Sequence, residues 1–185
     1  GEKVLAEIAA LVPDADLFTL VYVPGSTVPA IEDRRINPAS INWLPGVSRY
    51  YRWLLPTFSG WADRLDLSDY DLVLSTSHCV AKGARAADGA PHVCYCHTPM
   101  RYVWDQRRVY LNRLPRLFLP LAQGRLARLR QWDMVSSARV DRLIANSRLV
   151  AWRIKHYWNR QAEVMPPPVA TEYFTPGGDR GDALA

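Results

Sequence analysis

Cys96, His97 and Thr98 close an apolar run in the stretch YCHTPMRYVWD, residues 95–105. Pro99 stops that run, and Arg101, Tyr102, Trp104 and Asp105 follow at once. An imidazole donates, accepts or carries charge near neutral pH. A histidine at a strand end can therefore orient a substrate hydroxyl or stabilise a developing charge. The competing reading is a histidine hydrogen-bonded to a neighbouring loop, and the residues alone leave both open. Arg101 and Asp105 are four apart, the spacing of an ion pair along one helical turn. Tyr102 and Trp104 suit stacking on a sugar or base, and equally suit burial. Cys79, Cys94 and Cys96 with His78 and His97 offer enough nitrogen and sulfur for zinc. Their spacing matches no common zinc pattern, and alternate cysteines on an apolar strand are usually core, so no metal is expected.

Charge is unevenly placed. The net charge is +5, and from Arg101 to Trp132 eight arginines (Arg101, Arg107, Arg108, Arg113, Arg116, Arg125, Arg128 and Arg130) face a single acid, Asp105. Such a block suits an anionic partner, whether phosphate, nucleic acid or a lipid surface; it also suits a solvated helix face. No recognition motif accompanies the arginines, so nucleic acid is not the expected partner. Neither G-x-G-x-x-G nor G-K-[ST] occurs, which removes support for nicotinamide and P-loop readings.

The elements that must position these residues follow from periodicity. Val4, Leu5, Ile8 and Leu11 have helical spacing, ended by Pro13 and Asp14. Leu17 to Val23 reads as a buried strand, and 26–47 as a long loop. The aromatic-rich segment 48–65 reads as one or two helices broken at Pro56. Asp71 to Ser75 is a strand, Ala81 to Ala86 a short helix, and His92 to Cys96 another strand. Leu114 to Val140 reads as one long helix whose apolar stripe is Leu114, Leu117, Phe118, Leu121, Leu126, Leu129, Trp132 and Val135. Arg142 to Ala145 is a short strand. A helix capped by Asn146 or Ser147 follows, with Val150, Ile154 and Tyr157 on its apolar face. Ala162 to Met165 is a last strand before Pro166, Pro167 and Pro168, and 175–185 reads as a tail.

Strands alternating with helices predict an α/β fold, a parallel sheet with flanking helices. Ligands of such sheets bind outside the carboxyl ends of the strands. Here those ends carry Ser77 and His78, His97 and Thr98, and Asn146, Ser147 and Arg148. The length of 185 residues suits one domain, placed at 1–174. Three cysteines, two of them too close for an ordinary bridge, predict a reducing compartment, the cytoplasm. No run of about 18 uncharged apolar residues exists, so no spanning helix is expected.

YCHTPMRYVWD, with STSHCVAKGAR before it and IANSRLVAWRIKHYW and AEVMPPPV after it, resembles the amino-terminal half of glycosyltransferase family 4. It is most similar to bacterial members that transfer mannose and related sugars during cell-surface polysaccharide assembly. The resemblance implies a Rossmann-like unit of a GT-B fold, two such units enclosing a cleft. The first mainly binds the acceptor; the second holds the nucleotide-sugar, such as GDP-mannose, with an E-x7-E motif and a basic pair. It implies retention at the anomeric carbon without a metal, and a glycan or lipid-linked acceptor at the inner face of a membrane. The arginines of 107–132 would then give peripheral contact with anionic lipid. His97 matches the family histidine that faces the donor sugar. Gly1, Glu2 and Lys3 match the end of the glycine-rich loop after the family's first strand. The strand-end residues above, with Arg101, Tyr102, Trp104 and Asp105, are the expected substrate contacts. The chain is expected to lack that first strand and the donor-binding unit, and so to be inactive alone. The remaining readings are a non-catalytic glycan- or phosphate-binding module and, further off, a basic nucleic-acid-binding protein.

Overall fold

The computed structural model describes residues 1–112, 115–169 and 171. Arg113, Leu114 and the expected 175–185 tail lie outside the described residues.

The chain opens with α1 (Glu2–Leu11), then β1 (Leu17–Thr19), α2 (Pro29–Glu32) and β2 (Ile36–Pro38). A 3-10 turn (Ser40–Trp43), α3 (Val47–Tyr50), a second 3-10 segment (Tyr51–Thr57) and α4 (Phe58–Ala62) follow. Next come β3 (Asp66–Leu67), β4 (Val73–Ser77), a 3-10 turn (Ala81–Gly83), β5 (Arg85–Ala86) and β6 (His92–Cys96). After α5 (Arg107–Leu111) and a 3-10 turn (Arg116–Phe118) come α6 (Leu119–Ala138), β7 (Arg142–Ala145), α7 (Arg148–Trp158) and β8 (Glu163–Val164).

The main sheet runs β4-β6-β7-β8, and every neighbouring pair is parallel. Two small parallel pairs, β1-β2 and β3-β5, complete the strands among the described residues. This is the expected α/β architecture of parallel strands flanked by helices. The register aligns Ser77 with Cys96 and Cys96 with Ala145, so β4, β6 and β7 end level with one another.

Why β6 sits centrally is legible in its residues. His92, Cys94, Tyr95 and Cys96 are all buried, as a strand covered on both faces requires. Cys94, Cys96, Leu143 and Ala145 pack against Val150, Ile154 and Trp158 of α7. Ser147 caps α7, its hydroxyl accepting from the Val150 N–H. Burial pushes the Cys94 and Cys96 thiols up, which keeps them protonated. Among the described residues no group of three or more His, Cys, Asp or Glu side chains could hold a metal.

Several expected elements are corrected. The strand beginning at Leu17 ends at Thr19, because beyond it the backbone turns to side chains: the Tyr22 N–H donates to Asn42 Oδ1. The expected loop 26–47 contains α2, β2 and a 3-10 turn, with Pro29 opening α2. Pro56 lies within a 3-10 segment, and the α-helix resumes at Phe58. The expected helix over 81–86 is one 3-10 turn and a two-residue strand.

The largest correction concerns α6. Of its expected stripe, Leu117, Phe118, Leu121 and Val135 are exposed. Its buried face is Leu129, Asp133, Ser136 and Ser137 instead. The two hydroxyls bond back to the carbonyls of Asp133 and Met134, which removes their need for other partners. Asp133, fully buried, accepts from Lys82 Nζ at 2.5 Å and from the indole nitrogens of Trp104 and Trp158 at 2.7 Å each.

A second closed polar group lies under β6. His92 is 2% exposed, shares a 2.8 Å hydrogen bond with the Ser75 hydroxyl, and donates its backbone N–H to Asp141. Burial lowers its pKa from 6.5 to about 4. The unfolded chain therefore takes up a proton near pH 6.5 that the folded one refuses until about pH 4. Stability falls as pH drops through that window, by about 3 kcal/mol at its foot. Melting of His92→Gln should show a clearly flatter fall between pH 6.5 and 5 than the parent chain. Parallel curves would contradict the assignment.

Candidate functional site

Three strand ends and one helix start meet at the carboxyl edge of the main sheet. The His97 N–H donates to the Ser77 carbonyl at 2.8 Å, and the Asn146 N–H to the Cys96 carbonyl at 3.3 Å. These bonds continue the ladder one step past the strands, so His97 stands between the ends of β4 and β7. The ring of Tyr95 meets the imidazole edge to face at 5.3 Å.

Helix α1 arrives from the other side. A Cβ on Gly1 would sit 3.7 Å from His97 Nε2, so the helix start abuts the ring. Its first turn leaves backbone N–H groups without intrahelical acceptors, at the positive end of the helix dipole. Arg34 fixes the far end of α1, donating to the carbonyls of Ala9, Val12, Pro13 and Ala15. Nothing in the sequence pattern singled out that arginine, because its partners are backbone groups about twenty residues away.

His97 Nε2 is shielded from water and has no hydrogen-bond partner among the described residues. Burial holds its pKa below the ordinary histidine range, and the neighbouring His78 acts in the same direction. The ring is thus neutral at physiological pH, with one nitrogen uncommitted beside a row of free amides. That combination suits an oxygen that gains negative charge, or a sugar hydroxyl that needs one directed partner.

The other expected site residues divide. Gly1, Ser77 and His78 share the edge with His97; Glu2 and Lys3 are exposed on the first turn of α1. The Thr98 hydroxyl accepts from Arg153 at 3.3 Å. Asn146 accepts from the Ser147 hydroxyl, Ser147 caps α7, and Arg148 is exposed on its first turn. Arg101 is exposed. The Tyr102 hydroxyl meets Cys79 Sγ at 3.2 Å. Trp104 and Asp105 turn toward the helices: Trp104 bonds Asp133 and stacks on Tyr157 at 4.6 Å. Asp105 accepts from the Tyr157 hydroxyl and lies 3.4 Å from Arg153, not paired with Arg101.

Lys82 and Asp133 were missed by sequence reasoning. The signal was there: Asp133 is the only acid in α6, one helical turn after the apolar Leu129. An acid so placed must find a buried cation or be excluded.

No curated protein matches the chain, and no solved structure does. The model of Glycosyltransferase Family 4 matches residues 1–173, nearly the whole chain and every element around His97, and the chain therefore belongs to glycosyltransferase family 4.

Proposed function

We propose that this chain forms the acceptor side of a retaining glycosyltransferase, which moves a hexose, mannose in the first instance, from a nucleotide-sugar to a cell-surface glycan or lipid-linked acceptor. Family membership supports sugar transfer in general. The observation that carries the finer reading is the uncommitted Nε2 of His97, neutral and beside the first turn of α1.

His97 faces the donor sugar in this reading and takes part of the charge that builds as the nucleotide departs. A placed hydrogen-bonding group of this kind lowers the barrier by about 2.7–4 kcal/mol. Gly1, Glu2 and Lys3 offer amides to an anionic oxygen, while Ser77, His78, Thr98, Asn146, Ser147 and Arg148 border the crevice. In the complete enzyme, His97→Ala should lower kcat by about two to three orders of magnitude while circular dichroism and melting stay near the parent's. Unchanged turnover would overturn the role.

The same reading places the enzyme at the inner face of a membrane, as a peripheral protein. Among the described residues no helix is long and apolar enough to cross a bilayer. Val109, Leu117, Phe118 and Leu121 stand exposed beside Arg108, Arg116, Arg125 and Arg128. Arginines near an anionic surface contribute about 1 kcal/mol each, and their stems lie along apolar surface. Vesicles with anionic lipid should therefore co-sediment the protein at low salt and release it at high salt. Leu117→Ser with Phe118→Ser and Arg116→Gln should weaken that binding sharply. Equal binding to neutral and anionic vesicles would contradict this placement.

A further inference from the structure

A second basic cleft lies away from the strand edge. Arg107 and Arg108 of α5, Arg130 of α6 and His156 of α7 line a cavity of about 350 Å³, with Trp104 and Tyr157 as its wall. α7 starts at the strand edge, and His156 lies about 12 Å further along it at 1.5 Å per residue. The cleft therefore extends along α7 beyond the strand edge, and Arg153 links its Asp105 to Thr98 at that edge.

Its charge is not balanced from within. Asp105 is the one acid on its lining, and that carboxylate already accepts from Tyr157 and pairs with Arg153. Arg107 Nε is shielded from water and has no hydrogen-bond partner among the described residues. A guanidinium nitrogen taken out of water without an acceptor is costly unless a ligand supplies one. Arg130 is held over Trp104, its Cζ 4.3 Å from the ring centre, and Trp104 itself stacks on Tyr157 with 15° between planes. His156 is held in the same way against Trp152, at 4.9 Å and 7°. Two of the four cationic or protonatable groups are thereby fixed by aromatic faces before any ligand arrives. Forked guanidinium donors match the paired oxygens of a phosphate, whereas a halide presents only one acceptor atom.

We infer that the cleft formed by Arg107, Arg108, Arg130 and His156 binds a phosphate group, as a phosphomonoester or diphosphate. The volume is at the small end of ligand pockets, enough for one or two phosphoryl groups and bound water. The group is supplied either by a soluble phosphate compound or by a lipid headgroup, since both present the same oxygens. This inference goes beyond sugar transfer, and its test reads binding alone, so the two stand or fall separately.

The test is calorimetric titration of the protein at fixed ionic strength, with chloride as the control. One arm uses inorganic phosphate and pyrophosphate; the other uses dihexanoyl phosphatidic acid below its micellar concentration. Saturable binding in either arm is expected, and the arm that binds identifies the source. Arg107→Gln with Arg108→Gln should weaken it at least tenfold, while Arg85→Gln should leave it unchanged. Arg108→Glu, at an exposed position, repeats the test where the double variant fails to fold. Heat no greater than that of chloride in both arms would overturn the inference. So would an affinity that the Arg108→Glu variant retains.

Discussion

One buried carboxylate organises this molecule. Removing Asp133 from water costs several kcal/mol, and only a full set of donors offsets it. Lys82 supplies the charge, and Trp104 and Trp158 supply the two indole N–H groups. Lys82 is itself held between the faces of Trp132 and Trp158, at 4.9 and 5.0 Å, and donates to the Cys79 carbonyl. A pair of this kind adds little net stability over an apolar substitute, but losing one partner costs about 3–5 kcal/mol. Its value is therefore in position: the four segments that carry these side chains have one arrangement in which no charge is orphaned.

Those segments are the ones that frame the crevice. The turn after β4 carries Lys82, the stretch after His97 carries Trp104, and α6 and α7 carry Asp133 and Trp158. Gly83 shows how tight the closure is. A Cβ there would lie 2.5 Å from the Trp132 ring, so the turn fits only without a side chain. Trp132 in turn donates to Asp63, which Arg139 pairs at 2.7 Å, and this ties α6 to the end of α4. The loop from 98 to 106 is thus drawn down onto the helices, which leaves His97 at the rim facing α1. Trp104 serves both sides, holding Asp133 beneath and orienting Arg130 above.

What could be read from the chain followed local chemistry. HVCYC is an apolar run between Pro91 and Pro99, and it forms β6 over those five residues. Ser147 before an amphipathic run caps α7 as its hydroxyl predicts. Strand ends gather polar residues in any parallel sheet, so the neighbourhood of His97 followed from topology. The helix α6 did not follow, because apolar spacing alone assumes that leucines are buried and acids exposed. There the pattern is inverted: Asp133, Ser136 and Ser137 of α6 face inward, while Leu121 and, in the turn before the helix, Leu117 and Phe118 face outward. Trp104 and Asp105 carry contacts that their types alone do not reveal. Their types suit substrate contacts, and only the fold shows that α6 and α7 claim them.

Amide hydrogen exchange in Trp104→Phe tests the organising role of Asp133 most directly. Phenylalanine keeps an aromatic ring against Tyr157 and deletes the single N–H that ties the loop to the carboxylate. Local opening free energies report which segments are held together. The account predicts that protection falls in 97–106 and in the facing turns of α6 and α7, while α1 keeps the parent's rates. Protection in 97–106 equal to the parent's would contradict it, and would mean that the loop and His97 are held in place without the buried carboxylate.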